Sequence, residues 1–123
     1  NSAKMREILD LVGLADKIGE PAGNLSHGET QWLEIAMLIA QDSRLILMDE
    51  PTAGMTIQET DRTARIFRSL KANHTLIVVE HDMSFVRTVA DRIIVMNQGS
   101  KLAEGSIQEI ESNEAVKTAY LGH

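Results

Sequence analysis

Cysteine is absent from the 123 residues, so no disulfide can staple the chain, as expected in a reducing compartment, and no thiolate is available to a zinc site. Long hydrophobic runs are also missing. The longest wholly apolar stretch, Ile35 to Ala40, is far too short to span a bilayer. The first residues carry no signal-peptide pattern, so contact with a membrane would have to go through a partner protein. Basic residues are in the minority, 12 Lys and Arg against 18 Asp and Glu for a formal net charge of −6. That balance argues against a nucleic-acid surface, which needs clustered cations to neutralise phosphates. Internal repeats and low-complexity segments are lacking too. Finally, no G-x-x-x-x-G-K-[ST] run occurs, so the loop that would wrap a nucleotide's β-phosphate is missing. What is present suffices for a core: 43% of residues are hydrophobic, fitting one domain or part of one.

The apolar residues alternate between helical and strand patterns. Met5, Ile8, Leu9 and Val12 form one face of a helix that ends near Gly13. After a polar loop with Pro21 and Gly23, Trp32 to Ala40 is apolar nearly all round, which predicts a buried helix closed by Asp42-Ser43. Leu45 to Met48 and Leu76 to Val79 are continuous apolar runs, and Leu45 to Met48 and Thr75 to Val79 read as strands covered on both faces. Thr56 to Leu70 between them reads as a helix. This is a βαβ crossover, and its handedness brings both strand ends to one sheet edge, with Glu50 and His81 side by side. A helix over Ser84 to Ala90, a strand from Arg92 to Met96, a turn at Asn97-Gln98-Gly99-Ser100 and a short strand through Leu102 follow. Small helices begin near Ser106 and Asn113.

Chemistry-bearing residues sit where these elements start and stop. Leu25-Ser26-His27-Gly28-Glu29 opens a helix, whose first N–H groups can face a phosphate. Asp49-Glu50 ends the first strand, and alternation sends the two carboxylates to opposite sides, so that Asp49 can hold Mg²⁺ through water while Glu50 faces an attacking water. His81 ends the second strand within reach of a terminal phosphate. Open α/β sheets bind ligands beyond these strand ends.

Each motif also has a purely structural reading. Ser26-x-x-Glu29 is a capping box, and Thr56-x-x-Glu59 and Ser106-x-x-Glu109 have the same form. Gly28 distinguishes the first of them, because glycine inside a first turn costs about 1 kcal/mol against alanine and makes sense if a ligand must approach the backbone. Asp49 and Glu50 could be a solvated strand end stopped by Pro51, but four apolar residues lead into them, and charge at the rim of a core is costly without a cation or donor. Glu80-His81-Asp82 has residue types that bind metals, yet no Cys and no H-x-x-x-H completes a set. A neutral imidazole donating to phosphate fits His81 better. Trp32 on an apolar helix face reads as core.

In this order, the motifs resemble the ATP-binding subunit of ABC transporters. Leu25-Ser26-His27-Gly28-Glu29 is similar to the family's LSGGQ signature, Leu45-Ile46-Leu47-Met48-Asp49-Glu50-Pro51 to its Walker B strand, Ala53-Gly54-Met55-Thr56 to its D-loop and His81 to its switch histidine. The resemblance runs from about Leu9 to Gly122 and fits the second half of such a subunit. It implies an α/β fold, a partial P-loop NTPase, with residues 1–40 closing a helical subdomain and residues 41–123 forming the C-terminal part of a RecA-like core with C-terminal helices. The expected cofactors are ATP and Mg²⁺. Ser26, His27, Gly28 and Glu29 are expected at the nucleotide held by a partner subunit, Asp49 at the metal, and Glu50 and His81 in catalysis. The implied partners are a second ATPase subunit, transmembrane permease subunits and, indirectly, a periplasmic binding protein. The implied location is peripheral, on the cytoplasmic side of the inner membrane. With the phosphate loop missing, the chain reads as a piece of such a subunit that is inactive alone.

Three residues depart from the family pattern. His27 stands where glycine is common, Glu29 replaces glutamine and places negative charge near the triphosphate, and Thr56 replaces the aspartate of the D-loop, which leaves it the role of capping the next helix. The residues around the signature and D-loop, with the ending Ala119-Tyr120-Leu121-Gly122, look most like importers of the branched-chain amino acid and urea type, and closest to the urea importer's ATPase subunit. ABC ATPases of the chromosome-maintenance or DNA-repair type share the same motifs, and a regulatory fragment without catalysis is a further alternative. The acidic charge and the lack of a coiled-coil heptad run count against the chromosomal type.

Overall fold

The computed structural model describes residues 2–121; Gly122 of the resembling C-terminal ending lies outside them. The chain forms two compact units, residues 1–85 and 86–123.

In the first unit, α1 (Ser2–Leu11) stops as expected at Gly13, whose φ of +75° lies in the left-handed region. Two hydrogen bonds close its end, Gly13 N–H to Asp10 O and Leu14 N–H to Leu9 O. That pair is a Schellman cap, which satisfies carbonyls the helix leaves open. Two 3-10 turns, Ala15–Lys17 and Ala22–Asn24, lead to α2 (His27–Ala40). The capping box forms: Ser26 Oγ accepts from Glu29 N–H at 3.2 Å and Ser26 N–H donates to Glu29 Oε1 at 2.9 Å.

The strand β1 (Leu45–Asp49), the helix α3 (Ile57–Leu70) and the strand β2 (Thr75–Val79) make the expected crossover, with β1 and β2 parallel and Leu45 opposite Thr75. The core of this unit includes Val12, Leu14, Trp32, Ile46 and Phe67. Phe67 meets Phe85 edge-on, ring centroids 5.3 Å apart, a favoured aromatic geometry.

Burial departs from the sequence expectation. Ile46 is 1% exposed but Leu47 is 65% exposed, and Leu45, Ile77 and Val79 are exposed as well. Only one face of the β1–β2 pair is covered within the described residues, so the continuous apolar pattern marks a second face that nothing in them covers. Similarly, α2 buries Trp32, Ile35 and Ala36 while Met37 is exposed. Its apolar circumference exceeds what the packed face uses.

The helix α4 (Met83–Val89) carries the chain into the second unit, where β3 (Ile93–Asn97) and β4 (Ser100–Gly105) form an antiparallel hairpin. Gln98 and Gly99 both have positive φ, 52° and 80°, the signature of a type I′ turn, whose twist matches that of the strands. The helix α5 (Ile107–Ser112) is capped by Ser106 and Glu109, and α6 (Glu114–Val116) by Asn113 before a wider π turn over Lys117–Leu121. Ile110 and Val116 are the buried anchors of these helices.

Candidate active site

The parallel register sets Asp49 opposite Val79, and Glu50 N–H extends the ladder by one bond to Val79 O at 2.7 Å. The next residues of both strands therefore share one edge. Glu50 Oε1 lies 2.8 Å from His81 Nε2, with both side chains well exposed to solvent. Glu50 has a φ of +47°, unusual for a residue with a side chain and more so before Pro51, which favours extended backbone in its predecessor. Such a conformation costs about 1–3 kcal/mol and persists only where its surroundings enforce it. Strand alternation thus stops at Asp49; the left-handed turn, not the pleat, aims Glu50. Asp49 offers an exposed carboxylate at the strand end. That suits Mg²⁺, which keeps several waters and needs one or two carboxylates beside substrate phosphates.

Glu80 fixes this edge. Its Oε2 accepts from Thr52 N–H at 3.2 Å and from the Thr52 hydroxyl at 2.7 Å, while its Oε1 accepts from His81 N–H at 3.0 Å. One carboxylate thereby ties the turn after β1 to the end of β2, and the 8% exposure of Thr52 keeps water from competing.

The same turn reaches the start of α2. His27 Nε2 is 2.8 Å from Ala53 O, and with a proton there it donates to that carbonyl. Gly54, with a φ of +76°, leaves room for the ring: a Cβ there would stand 3.3 Å from His27 Nε2. Thr56 caps α3, its Oγ accepting from Glu59 N–H at 3.1 Å while Glu59 Oε1 accepts from Thr56 N–H at 3.0 Å. The other oxygen of Glu59 faces α2. Ser26 Oγ donates to Glu59 Oε2 at 3.4 Å, and a Cβ on Gly28 would fall 2.3 Å from that oxygen. The bare Cα of Gly28 is thus met by a carboxylate of the chain itself. The Thr56 N–H, foremost, holds the Glu59 carboxyl below the usual carboxylate range; desolvation opposes it, and the hydroxyls of Thr56 and Ser26 and the charge of His27 assist. Glu29 is engaged by its cap and by Lys17 Nζ at 3.9 Å, an exposed pair of small worth.

Two clusters result, Glu50 with His81 and residues 26–29 with Ala53 and Glu59, joined by the turn of residues 51–56. Known proteins share sequence and fold with the chain. The ABC transporter family profile matches residues 1–53. Over 116 residues the chain is 38% identical to the high-affinity branched-chain amino acid transport ATP-binding protein BraF of Pseudomonas aeruginosa, covering 93% of this chain and 46% of that protein. It is 37% identical to LivG of Escherichia coli K12 over the same shares, and 35% identical to the methionine import ATP-binding protein MetN of Streptococcus pneumoniae, covering 90% of this chain and 32% of that one. A solved ATP-binding cassette of an ABC transporter in its ADP conformation superposes with a TM-score of 0.83 at 27% identity, covering 98% of this chain and 50% of that one.

The chain has the fold of part of an ABC transporter ATP-binding cassette. It spans about half the length of the curated relatives it matches, 46% of BraF. No helix among the described residues is long and apolar enough to cross a membrane.

Four residues that hold the site together are not evident from motifs. Glu80 stands beside His81 in sequence, but only the fold pairs it with Thr52. Glu59 is visible as a capping residue, not as the neighbour of Gly28. Arg62 donates to Gly13 O and lies 4.4 Å above the Trp32 ring, a cation–π contact. Thr63 accepts from Trp32 Nε1 at 2.9 Å and donates to Glu59 O at 2.7 Å, pinning α2 to α3.

Proposed function

We propose that this chain is the second half of an ATP-hydrolysing subunit of an ABC importer, that the subunit works as one of a pair beneath transmembrane permease subunits, and that the importer takes up branched-chain amino acids supplied by a binding protein. The observation that carries the hydrolytic reading is the 2.8 Å contact between Glu50 and His81 at the ends of adjacent parallel strands. An exposed carboxylate there can polarise a water and take its proton as the oxygen attacks the γ-phosphorus. His81 Nε2 contacts that carboxylate here and would turn its one N–H to a γ-phosphate oxygen when ATP is bound. Asp49 would hold Mg²⁺, which when bound neutralises charge on the phosphates.

The start of α2 supplies a second face. Ser26 and the first N–H groups of the helix would address the γ-phosphate of ATP loaded by the partner subunit, since the phosphate loop has to come from residues outside this sequence. The relatives support the substrate class: BraF and LivG are named for branched-chain amino acid transport. Urea, which the resemblance placed first, rests on Met55-Thr56 and the signature neighbours alone, residues on the nucleotide side, and we rank it second.

Glu50→Gln in the complete subunit tests the chemistry. Turnover should fall about 10²- to 10⁴-fold with ATP binding retained; near-normal ATPase would remove Glu50 from the role of base. The reconstituted importer tests the substrate, with ATPase expected to rise with leucine-loaded binding protein. Stimulation by urea instead would restore the urea reading.

A further inference from the structure

Glu59 has two oxygens with different tasks. Oε1 completes the capping box of α3, whereas Oε2 is directed away from that helix, to Ser26 Oγ at 3.4 Å and to the space above the Cα of Gly28. The N–H groups at the start of α2 have no helical acceptor, and the helix dipole favours an anion there. That is the place assigned above to a phosphate. A carboxylate of the same chain already lies beside it, against Ser26 Oγ and the Cα of Gly28.

We infer that Glu59 is an internal stand-in for the phosphate, an autoinhibitory contact that ATP must displace before residues 26–28 can close on it. The inference rests on the ATP-sandwich reading proposed above. Ser26 has one hydroxyl proton; it is given to Glu59 Oε2 in this structure, so a γ-phosphate oxygen can have it only after Glu59 lets go. The bond is long, as suits one meant to break. Glu59 is also held at the other end by the Thr56 N–H at 3.0 Å, so it cannot swing far, and its negative charge stays near the incoming triphosphate. His27 lends opposing charge when protonated, and Glu29 adds another carboxylate at the same helix start. Gly28 accommodates the contact, because any side chain would collide with it.

Glu59→Gln separates the two tasks. The amide oxygen can still accept from Thr56 N–H, as glutamine does in capping boxes, but the charge is gone. In the complete subunit carrying Glu50→Gln, which holds ATP without turnover, the ATP concentration for half-maximal dimer formation is read by size-exclusion chromatography with light scattering. Adding Glu59→Gln should lower it about tenfold at low salt. The gain should shrink to about two- or threefold at 0.5 M NaCl as screening shortens the reach of the charge. A purely structural role for Glu59 would leave no such salt dependence. An unchanged or raised ATP requirement, or a shift indifferent to salt, overturns the inference alone. Failure of the Glu50→Gln parent to dimerise with ATP overturns it together with the reading on which it rests.

Discussion

Thr63→Val probes the joint between the helix that opens at Ser26 and the helix that follows the turn at Ala53. Thr63 is fully buried and Trp32 is 3% exposed. Valine replaces threonine with almost the same shape, so no cavity opens and the change is confined to hydrogen bonding. The Trp32 N–H loses its acceptor at 2.9 Å and finds no water in its place. The bond to Glu59 O matters less, because helix carbonyls already accept from the backbone four residues on. A buried donor left unsatisfied costs about 1–3 kcal/mol, so we expect a loss near 2 kcal/mol. In a complete subunit of the relatives' size this lowers the melting temperature by about 4–8 °C. Urea unfolding of the wild type, Thr63→Val, Trp32→Phe and the double variant completes the cycle. Phenylalanine lacks the N–H, so the double variant should cost less than the sum of the singles by about 1–2 kcal/mol. Additive losses, or a Thr63→Val cost below about 0.5 kcal/mol, would refute the idea that this hydrogen bond fixes α2 on α3.

Further outcomes follow from the same geometry. The 123 residues alone should give no saturable micromolar Mg-ATP binding in calorimetry, because only the second face of the sandwich is present. Gly54→Ala should destabilise by about 1 kcal/mol or more, since the backbone there has φ of +76° and the new Cβ would press on His27; thermal unfolding measures it. Gly28→Val should block ATP-dependent dimer closure in the Glu50→Gln background while leaving each subunit able to load nucleotide, and undiminished dimer formation would be the contrary result. Glu59 and Glu109 have carboxyls held below the usual range, each first by the backbone N–H of its capping partner. Such groups bind protons less readily folded than unfolded, so their stabilisation is present above the ordinary carboxylate range and is lost as pH falls through the lowered folded values. Acid unfolding should therefore become less steep when both are changed to glutamine.

Much of the frame is legible in the sequence because its signals are local. Gly13 ends α1, three Ser/Thr-x-x-Glu boxes start α2, α3 and α5, and Gln98-Gly99 turns the hairpin. The βαβ unit is equally plain, and with it the meeting of Glu50 and His81, since parallel register leaves their strand ends together. Burial is less legible. A continuous apolar run says that both faces of a strand avoid water in the working protein, not that this stretch of chain supplies both covers. Leu47 and Val79 carry the pattern of covered residues while exposing more than half of their surface.

The site itself is legible only as far as each residue's cause is local. Ser26, Thr56 and Ser106 open helices with the same box, and within those four-residue windows Gly28 marks the first without saying what it meets. Tertiary placement does: the box at Ser26 has a second carboxylate, Glu59, against it, and a glycine where that carboxylate comes closest. Gly28 signals a close approach to the backbone, but the sequence does not say by what. Aiming of Glu50 is likewise invisible in the apolar run before it, because alternation fails at its positive φ. That strained turn is held from both sides, by Glu50 N–H on Val79 O before it and by Glu80 on Thr52 after it. Thr52→Val would remove one of those bonds while keeping shape, and a fall in turnover with unchanged ATP affinity would then mark the turn as the part that positions the base.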